Sequence, residues 1–443
     1  MSGVVCCFCC LCAQNAATRV TLGEWDGDRV VVKRTQLPDD EEARAKALRE
    51  KDILKRLSHS NVVKFIFYST RENEDGDEHV FLVLEPCVSY VVSAAPAPTV
   101  ASAEPTSPVF TVTSMTLEWL VNGRRGDGAA GTASWARTKL RLAREICEGL
   151  AYLHGFTELS EQGILHRDLK PQNILLAESA SGALTAKLAD LGAAKAVDES
   201  RASSTAHGTQ GWLAPEIAQG GGNTRAGDVF SLGLVLFWLL MDGRHALGAA
   251  SMQQMHLHTL AFPEGQGAKH LAGALRGVGR ECGAEAADLL AGMLAAEPVA
   301  RPSVAHALQR PLFWDTQRRY RVICRVGNAD VGPAERRVLD EQCGGRALLR
   351  GCPDGLWTAR VDARLFAAVQ RKRERRYDGA SIFDLLRFVR NCSTEHGHFR
   401  ELPSNIKEWV DSPGVGGMAS YVLRAFPALC LVAARFEQAQ VPI

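Results

Sequence analysis

Apolar positions in the first two thirds of the chain follow the repeats of both strands and helices. A β-branched run, Val30–Val32, and the segment Val80–Glu85 are typical of buried strands. In Glu50–Leu57 the apolar residues recur at helical spacing, and Met115–Val121 predicts another helix. The long apolar stretch Val229–Met241 predicts a buried helix. A sheet-rich part followed by a helical part predicts an α+β fold.

The last third of the chain predicts helices. Ser381 with Asp384 three residues later is the arrangement of a capping box, which begins a helix. One face of this helix carries the apolar residues Ile382, Leu385, Leu386 and Val389. The other face carries Arg387, Arg390 and Asn391. A further helix over Ser404–Val410 and an apolar one interrupted by Pro427 complete an all-helical module.

Three segments lack this periodicity. Residues 89–114 are rich in Ala, Pro, Ser, Thr and Val and carry almost no charge, which predicts a disordered insertion. Residues 123–134 predict a second, flexible insertion, and residues 1–17 predict an irregular, cysteine-rich start. The chain is therefore expected to hold a first domain over 18–314 and a second over 315–443.

Composition narrows the class of protein. A chain of 443 residues is long enough for two to three domains with real cores, and no apolar run reaches the ~18 residues of a membrane span. The net charge of +1 means that any nucleic-acid surface must be local. Thirteen scattered cysteines, an odd number, favour a reducing compartment over a disulfide framework. The cluster Cys6–Cys12 leaves half a zinc site or lipidation as alternatives to an irregular start.

The clearest chemical signal is His166–Asn173, followed by a D-F-G-like triplet that begins at Asp190. This is the H-R-D-x-K-x-x-N loop of protein kinases. Phosphoryl transfer needs a carboxylate that orients the attacking hydroxyl, here Asp168, and a cation beside the moving group, here Lys170. It also needs oxygen ligands for Mg²⁺, the roles expected of Asn173 and Asp190. The sequence therefore predicts a kinase that uses ATP and Mg²⁺.

The other parts of the kinase pattern follow in order. Lys33 ends a strand where the phosphate-binding lysine belongs, and Glu50 is its expected ion-pair partner. Residues predicted to contact the nucleotide are Val20, Lys33, Glu50, Glu85, Cys87 and Leu175. Glu216 closes the activation segment in an A-P-E triplet, and Arg301 is its expected partner.

The glycine-rich loop that opens a kinase departs from the pattern. Glycine there lets backbone amides approach the phosphates. The three positions hold Cys12, Gln14 and Ala17 instead. Either the nucleotide site is weakened, or the natural amino terminus differs from the one in this sequence. We favour the second interpretation, because every catalytic polar residue is intact.

A second set of polar residues lies beside the dense basic run Arg371–Arg376. Tyr377 and a nearby histidine could move the proton of a ribose 2′-hydroxyl and protonate the leaving oxygen. Arg390 and Asn391 could hold a pentacoordinate phosphate. The alternative is a solvated basic helix with a capping histidine. The residues alone leave metal-free RNA cleavage and this alternative equally open.

The segment from Tyr377 to Pro403 resembles the Y-x-G-x-S…D-L-L-R…R-N…H-Y-R-E-L-P core of one nuclease family. That family is the inositol-requiring kinase–endoribonuclease, the endoplasmic-reticulum stress sensor. In the first domain, Gly208–Trp212, Gly243–Gly248 and Phe313-Trp314 resemble the same family. The resemblance implies a two-lobed protein kinase fold followed by an all-helical kinase-extension nuclease domain.

The resemblance assigns the nuclease groups to Tyr377, Arg390, Asn391 and His398. This chain has more residues after Asn391 than the family usually shows, so His396 is a rival for the catalytic histidine. His398 is preferred because it directly precedes the F-R-E-L-P match.

The implied function is that of a serine/threonine kinase fused to a metal-independent endoribonuclease. Such a protein would phosphorylate itself within a homodimer or higher oligomer and cleave RNA stem-loops in the unfolded protein response. We expect a cytosolic chain, placed at the cytosolic face of the endoplasmic reticulum if a membrane anchor precedes it. The alternatives are a 2-5A-dependent ribonuclease, a kinase with a C-terminal docking module, and a nucleotide-binding pseudokinase that only dimerises the nuclease.

Overall fold

A computed structural model of the chain describes residues 10–15, 18–91, 111–126, 133–158, 163–196, 207–248, 251–262, 266–371, 376–393, 399–412 and 415–440. The chain divides into two compact units. The first contains the residues up to 275 and those from 290 to 308, and the second contains 276–289 and the residues from 309 onward. Residues 276–289 and 309–314, which were expected in the first domain, lie in the second compact unit, and the domain boundary after residue 314 stays a prediction.

The first unit begins with a five-stranded antiparallel sheet in the order β1-β2-β3-β5-β4. Its strands are β1 (Cys10–Asn15), β2 (Thr18–Trp25), β3 (Asp28–Gln36), β4 (Phe65–Glu72) and β5 (Glu78–Leu84). Helix α1 (Glu41–Leu54) connects β3 to β4. In the central strand β3, Val30 and Val32 are buried, as their β-branched pattern predicts. The register places Lys33 between Val20 of β2 and Leu82 of β5.

The expectation of an irregular start is wrong for Cys10–Asn15, which forms β1 and pairs with β2. Without this partner β2 would present an unpaired edge of backbone N–H and C=O groups, which strands satisfy by pairing. The pairing is irregular in register between Cys10 and Cys12 and again between Ala13 and Asn15. Residues 1–9, 16 and 17 lie outside the described part of the chain.

The two predicted insertions are ordered at their ends. β6 (Val88–Val91) pairs antiparallel with β7 (Thr111–Ser114), so backbone hydrogen bonds close the base of the first insertion. α2 (Leu117–Gly126) and α3 (Ala133–Gly155) extend into the second insertion from either side. The interiors of both, 92–110 and 127–132, lie outside the described residues.

Short strands and helices complete the part of the chain up to residue 308. The strands are β8 (Ile164–Leu165), β9 (Ile174–Glu178), β10 (Leu184–Leu188) and β11 (Lys195–Ala196), with β9 paired to β10 and β8 to β11. The helices are α4 (Pro215–Ala218), α5 (Arg225–Leu240), α6 (Met252–Leu260), α7 (Gln266–Glu281), α8 (Ala284–Met293) and α9 (Val304–Leu308). Helix α5 is buried from Gly227 to Leu240. It begins before Asp228, because the Thr224 hydroxyl accepts a hydrogen bond from the Gly227 N–H and caps the helix.

The second unit is helical in its described residues, as predicted. Its helices are α10 (Thr316–Asn328), α11 (Pro333–Arg337), α12 (Gly345–Arg350), α13 (Ala363–Gln370), α14 (Ile382–Asn391), α15 (Ser404–Asp411), α16 (Gly417–Ala425) and α17 (Leu429–Gln440). A π-helical turn, Val338–Gln342, follows α11. Trp357, Leu365 and Leu386 lie fully buried in one apolar core.

Only one of the two hydrogen bonds of the capping box predicted for α14 forms. The Ser381 Oγ accepts a hydrogen bond from the Asp384 N–H at 3.2 Å. The Asp384 carboxylate does not return the bond to Ser381 but accepts one from the Asp378 N–H at 2.7 Å. It therefore closes the turn that precedes the helix.

Within the described residues, no single helix is both long and apolar enough to cross a membrane. Helices α16 and α17 reach that length only together, and they are bent by 91° at the break between them.

Candidate active sites

The strand lysine of the first unit lies between two carboxylates. Lys33 Nζ donates hydrogen bonds to Oε1 and Oε2 of Glu50 at 2.9 and 2.8 Å, and to Oδ1 of Asp190 at 2.9 Å. Burial alone would lower the pKa of Lys33, but the charges of Glu50 and Asp190 outweigh it and raise the pKa above its usual value. The ammonium group is therefore charged and oriented by α1 and the D-L-G triplet together.

Asp190 is held in an unusual backbone conformation. Its φ of 57° lies in the left-handed region, and it begins a 3₁₀ turn, Leu191–Ala193, in which Leu191 is fully buried. Burial tends to raise the pKa of Asp190, but the nearby Lys33 overcomes this and lowers it. The carboxylate is therefore ionised, as a cation ligand must be.

The carboxylate of Asp168 is held at both oxygens. Oδ1 accepts a hydrogen bond from Thr209 Oγ1 at 2.6 Å, and Oδ2 accepts bonds from Lys170 Nζ at 2.8 Å and Asn173 Nδ2 at 2.9 Å. Lys170 also donates to Thr209 Oγ1 at 2.8 Å. Sequence reasoning did not single out Thr209, although its place in the Gly208–Trp212 motif is a signal that could have identified it.

The loop that carries Asp168 is held in place by hydrogen bonds to Asp228 of α5. This buried carboxylate accepts hydrogen bonds from the backbone N–H groups of His166 and Arg167 at 2.8 and 2.9 Å, and it bonds His154 Nε2 at 2.9 Å. Arg167 has a φ of 70°, a strained value for a non-glycine residue. Asp228 therefore stabilises the backbone shape that presents Asp168, a role the sequence did not reveal.

The predicted pairing of Glu216 with Arg301 is present. Arg301 Nη1 and Nη2 donate to the two carboxylate oxygens at 2.6 and 2.9 Å. This two-point contact joins the end of the activation segment to the late helices of the first unit.

The side chains of the two predicted hinge residues are held within the fold. Oε1 of Glu85 accepts a hydrogen bond from the Lys64 N–H at 2.7 Å and lies 2.9 Å from Lys187 Nζ. Cys87 is 2% exposed, and burial raises the pKa of its thiol to about 12, so it stays neutral. The Glu85 carboxylate therefore stabilises the fold, and the nucleotide contacts of Glu85 and Cys87 stay predictions.

The other residues of the site fit a nucleotide with Mg²⁺. Val20, opposite Lys33, and Leu175 at the start of β9 are half-buried apolar side chains. Asn173 uses its amide nitrogen to bond Asp168, so its ligand to a cation would be the amide oxygen. An amide oxygen and the Asp190 carboxylate are hard ligands of the kind that Mg²⁺ prefers.

In the described residues, no group of three or more His, Cys, Asp or Glu side chains could hold a metal ion. Eight described cysteines occur as thiols. Cys6, Cys7 and Cys9 lie outside the described residues, so the half zinc site stays a prediction.

In the second unit, three of the four predicted nuclease residues form one hydrogen-bonded chain. Asn391 Nδ2 donates to Tyr377 Oη at 2.6 Å, and Arg390 Nη1 donates to Asn391 Oδ1 at 2.8 Å. The sequence placed Asn391 on the polar face of its helix with Arg387 and Arg390. In the structure Asn391 is 5% exposed, so its side chain is buried. His398 and its rival His396 lie outside the described residues.

Aromatic rings fix the position of the tyrosine. Tyr377 packs against Trp357, Phe388 and Phe366 with ring centroids 5.9, 5.5 and 6.3 Å apart. Its backbone N–H donates to Gln370 Oε1 at 3.1 Å. Because Asn391 donates to the phenolic oxygen, negative charge that develops on this oxygen would be stabilised.

A further member of this hydrogen-bonded chain of side chains was not predicted. Asn328 Oδ1 accepts hydrogen bonds from Arg390 Nε at 3.1 Å and from Nη2 at 2.5 Å. Asn328 lies at the end of α10, outside every motif identified in the sequence. Of the basic run, residues 372–375 lie outside the described part, and Arg371 and Arg376 are exposed.

Two parts of the chain match two known families. Residues 16–313 match the family of the protein kinase domain, and residues 346–440 match the family described as Ribonuclease 2-5A. The serine/threonine-protein kinase/endoribonuclease IRE1b of Arabidopsis thaliana is 29% identical over 438 residues, which cover 94% of this chain and 44% of that protein. IRE1 of rice, Oryza sativa subsp. japonica, which has the same description, is 32% identical over 296 residues, covering 66% of this chain and 30% of that protein.

A third relative, from Schizosaccharomyces pombe, is named a sensor for unfolded proteins in the ER. It is 30% identical over 336 residues, which cover 66% of this chain and 28% of that protein. The chain thus spans less than half the length of these relatives. It belongs to the protein kinase family and joins its kinase domain to a ribonuclease domain, as do the relatives described as serine/threonine-protein kinase/endoribonuclease.

Proposed function

We propose that the first unit is an active serine/threonine protein kinase. Bound ATP would supply the phosphoryl group, and Mg²⁺ would neutralise its charge. Lys33, oriented by Glu50, holds the phosphate chain in this assignment, and Asp190 and Asn173 hold the cation. These groups already lie within hydrogen-bonding distance of their partners, so little reorganisation is needed before transfer.

In the same assignment Asp168 orients the hydroxyl of the protein substrate and accepts its proton. Thr209 and Lys170 fix the two carboxylate oxygens, which limits the directions from which a hydroxyl can approach. Lys170 also places a positive charge where the transferring group gains negative charge.

The second unit is proposed to be an endoribonuclease that needs no metal. The RNA's own 2′-hydroxyl attacks the adjacent phosphate, the bond to the 5′-oxygen breaks, and the products are a 2′,3′-cyclic phosphate and a 5′-hydroxyl. Tyr377 and His398 move the two protons, one from the 2′-oxygen and one to the 5′-oxygen. Arg390 and Asn391 stabilise the negative charge on the phosphate.

One observation carries the proposal of two enzymes. Each of the two compact units holds its own cluster of polar side chains: Asp168, Lys170 and Thr209 in the first, and Tyr377, Arg390 and Asn391 in the second. A docking module has no need of the second cluster, and a scaffold has no need of the first.

We infer the biological setting from the relatives. Their names describe a serine/threonine-protein kinase and endoribonuclease in one protein. For this chain we further propose that it phosphorylates itself in trans within a homodimer or higher oligomer and cleaves RNA stem-loops. We also propose a role in the unfolded protein response at the cytosolic face of the endoplasmic reticulum, with any membrane anchor lying upstream of this sequence. The name of the S. pombe relative, a sensor for unfolded proteins in the ER, supports this setting.

The test uses two assays on the same purified chain. Phosphate incorporation is measured with labelled ATP and Mg²⁺, and cleavage of a hairpin RNA is measured in EDTA. Asp168→Asn should abolish the first and Asn391→Ala the second, each leaving the other function in place. A wild-type chain that only phosphorylates would be a kinase with a docking module. One that only cleaves would be a pseudokinase that dimerises a nuclease, as the missing glycines allow.

A further inference from the structure

The guanidinium group of Arg390 is held at all three of its nitrogens by two asparagines. Nη1 donates to Asn391 Oδ1, whereas Nε and Nη2 both donate to Asn328 Oδ1. Asn328 lies 62 residues earlier in the chain. Two of the three contacts that orient this arginine therefore come from a different helix.

The end of α10 is brought to Arg390 by a close helix crossing. A Cβ atom added to Gly327 would lie 2.3 Å from the carbonyl oxygen of Leu386 and 3.1 Å from Cβ of Arg390. The Tyr320 hydroxyl also donates to the carbonyl of Val389 at 3.3 Å. The last turn of α10 is thus fixed against α14, and Asn328 is carried with it.

Asn328 is not needed to close its own helix. The helix ends with the Ala329 N–H donating to the carbonyl of Val326, a backbone bond. The Asn328 side chain is exposed at the surface and is directed to Arg390. The Asn328 side chain therefore orients the arginine through two hydrogen bonds.

We propose that Asn328 is a positioning residue of the ribonuclease site, which holds Arg390 in the orientation in which it meets the scissile phosphate. The proposal rests on the ribonuclease function proposed above. An arginine side chain has several rotatable bonds, and fixing it beforehand removes an entropy cost from the transition state. A side-chain oxygen suits this task because a guanidinium carries only hydrogen-bond donors, and one oxygen accepts from two of them here.

The experiment compares kcat and KM for cleavage of one hairpin RNA in EDTA by four single variants and wild type. Asn328→Ala should lower kcat on the order of 10-fold, with KM changed much less, because the lost bonds involve a charged group that acts in the transition state. Asn328→Asp should keep most of the activity, since a carboxylate oxygen accepts the same bonds. Asn405→Ala, at an exposed asparagine of the same unit, is the matched control and should behave as wild type.

A double variant separates positioning from a general structural effect. Arg390→Ala alone and Arg390→Ala combined with Asn328→Ala should cleave at the same rate, because Asn328 acts through Arg390. Independent losses in the double variant would overturn the proposal, as would Asn328→Ala cleaving at the wild-type rate. It would also be overturned if Asn328→Asp were as inactive as Asn328→Ala, or if Asn328→Ala lost rate only through a lowered melting temperature. A wild-type chain that cleaves no RNA would refute the ribonuclease function itself, which is a different result.

Discussion

The crossing of α10 and α14 allows a sharp test by adding one methyl group. In Gly327→Ala the new Cβ would lie 2.3 Å from the Leu386 carbonyl oxygen and 2.7 Å from its carbon, well under the 3.0 Å that real Cβ atoms keep. Leu386 lies in the middle of α14, so its carbonyl cannot move without the helix. The two helices must therefore separate.

The cost follows from two opposing terms. Overpacking of this kind costs about 1–3 kcal/mol, and a clash with backbone belongs at the upper end. The higher helix propensity of alanine relative to glycine stabilises the folded state by about 1 kcal/mol. We expect a net loss of about 1–2 kcal/mol in the free energy of unfolding.

Gly279→Ala is the matched control in a helix of the same unit. Its new Cβ would lie 3.7 Å from Cβ of Ala287, an ordinary contact, so only the propensity gain of about 1 kcal/mol applies. Urea denaturation of both variants should therefore show a difference of about 2–3 kcal/mol between them. RNA cleavage should fall in Gly327→Ala alone, because Asn328 moves away from Arg390. Equal stability and equal cleavage in both variants would refute the close crossing.

Four further results are expected. Asp190→Ala should abolish Mg²⁺-dependent phosphate incorporation from labelled ATP, because it removes a carboxylate ligand; incorporation near the wild-type level would contradict this role. Tyr377→Phe keeps the ring in its aromatic cluster but lacks the hydroxyl, so RNA cleavage should fall on the order of 10²-fold while the chain stays folded, and unaltered cleavage would exclude the phenol from catalysis. His398→Asn should lose a similar factor in EDTA while autophosphorylation survives, and His396→Asn should lose much less; the opposite result would exchange the two histidines. Burial lowers the pKa of His245 from 6.5 to about 4, so the unfolded chain takes up the proton first as the pH falls. The contribution of the neutral His245 to the free energy of unfolding is complete above pH 6.5 and is lost as the pH falls toward 4. At pH 4.5 this protonation should lower the free energy of unfolding of wild type by about 2–3 kcal/mol relative to pH 7. Urea denaturation of His245→Gln would not show this loss.

The groups whose geometry is local could be predicted from the amino-acid sequence alone. Asp168, Lys170 and Asn173 lie within one short loop, so the order of residue types already placed the three polar groups together. The β-branched run before Lys33 likewise predicted its strand, since alternating burial is a property of the strand itself. The helix that carries Arg390 and Asn391 followed from its apolar face in the same way.

The contacts between distant segments could not be predicted from the sequence, because they depend on how the chain folds. Thr209 reaches Asp168 across 41 residues, and Asn328 reaches Arg390 across 62. No local pattern encodes such pairs, because they depend on where two elements cross, as α10 and α14 do at Gly327. The strand Cys10–Asn15 was missed for the same reason. A strand forms when a neighbouring edge accepts its backbone hydrogen bonds, and that edge is supplied by the fold rather than by the strand's own residues.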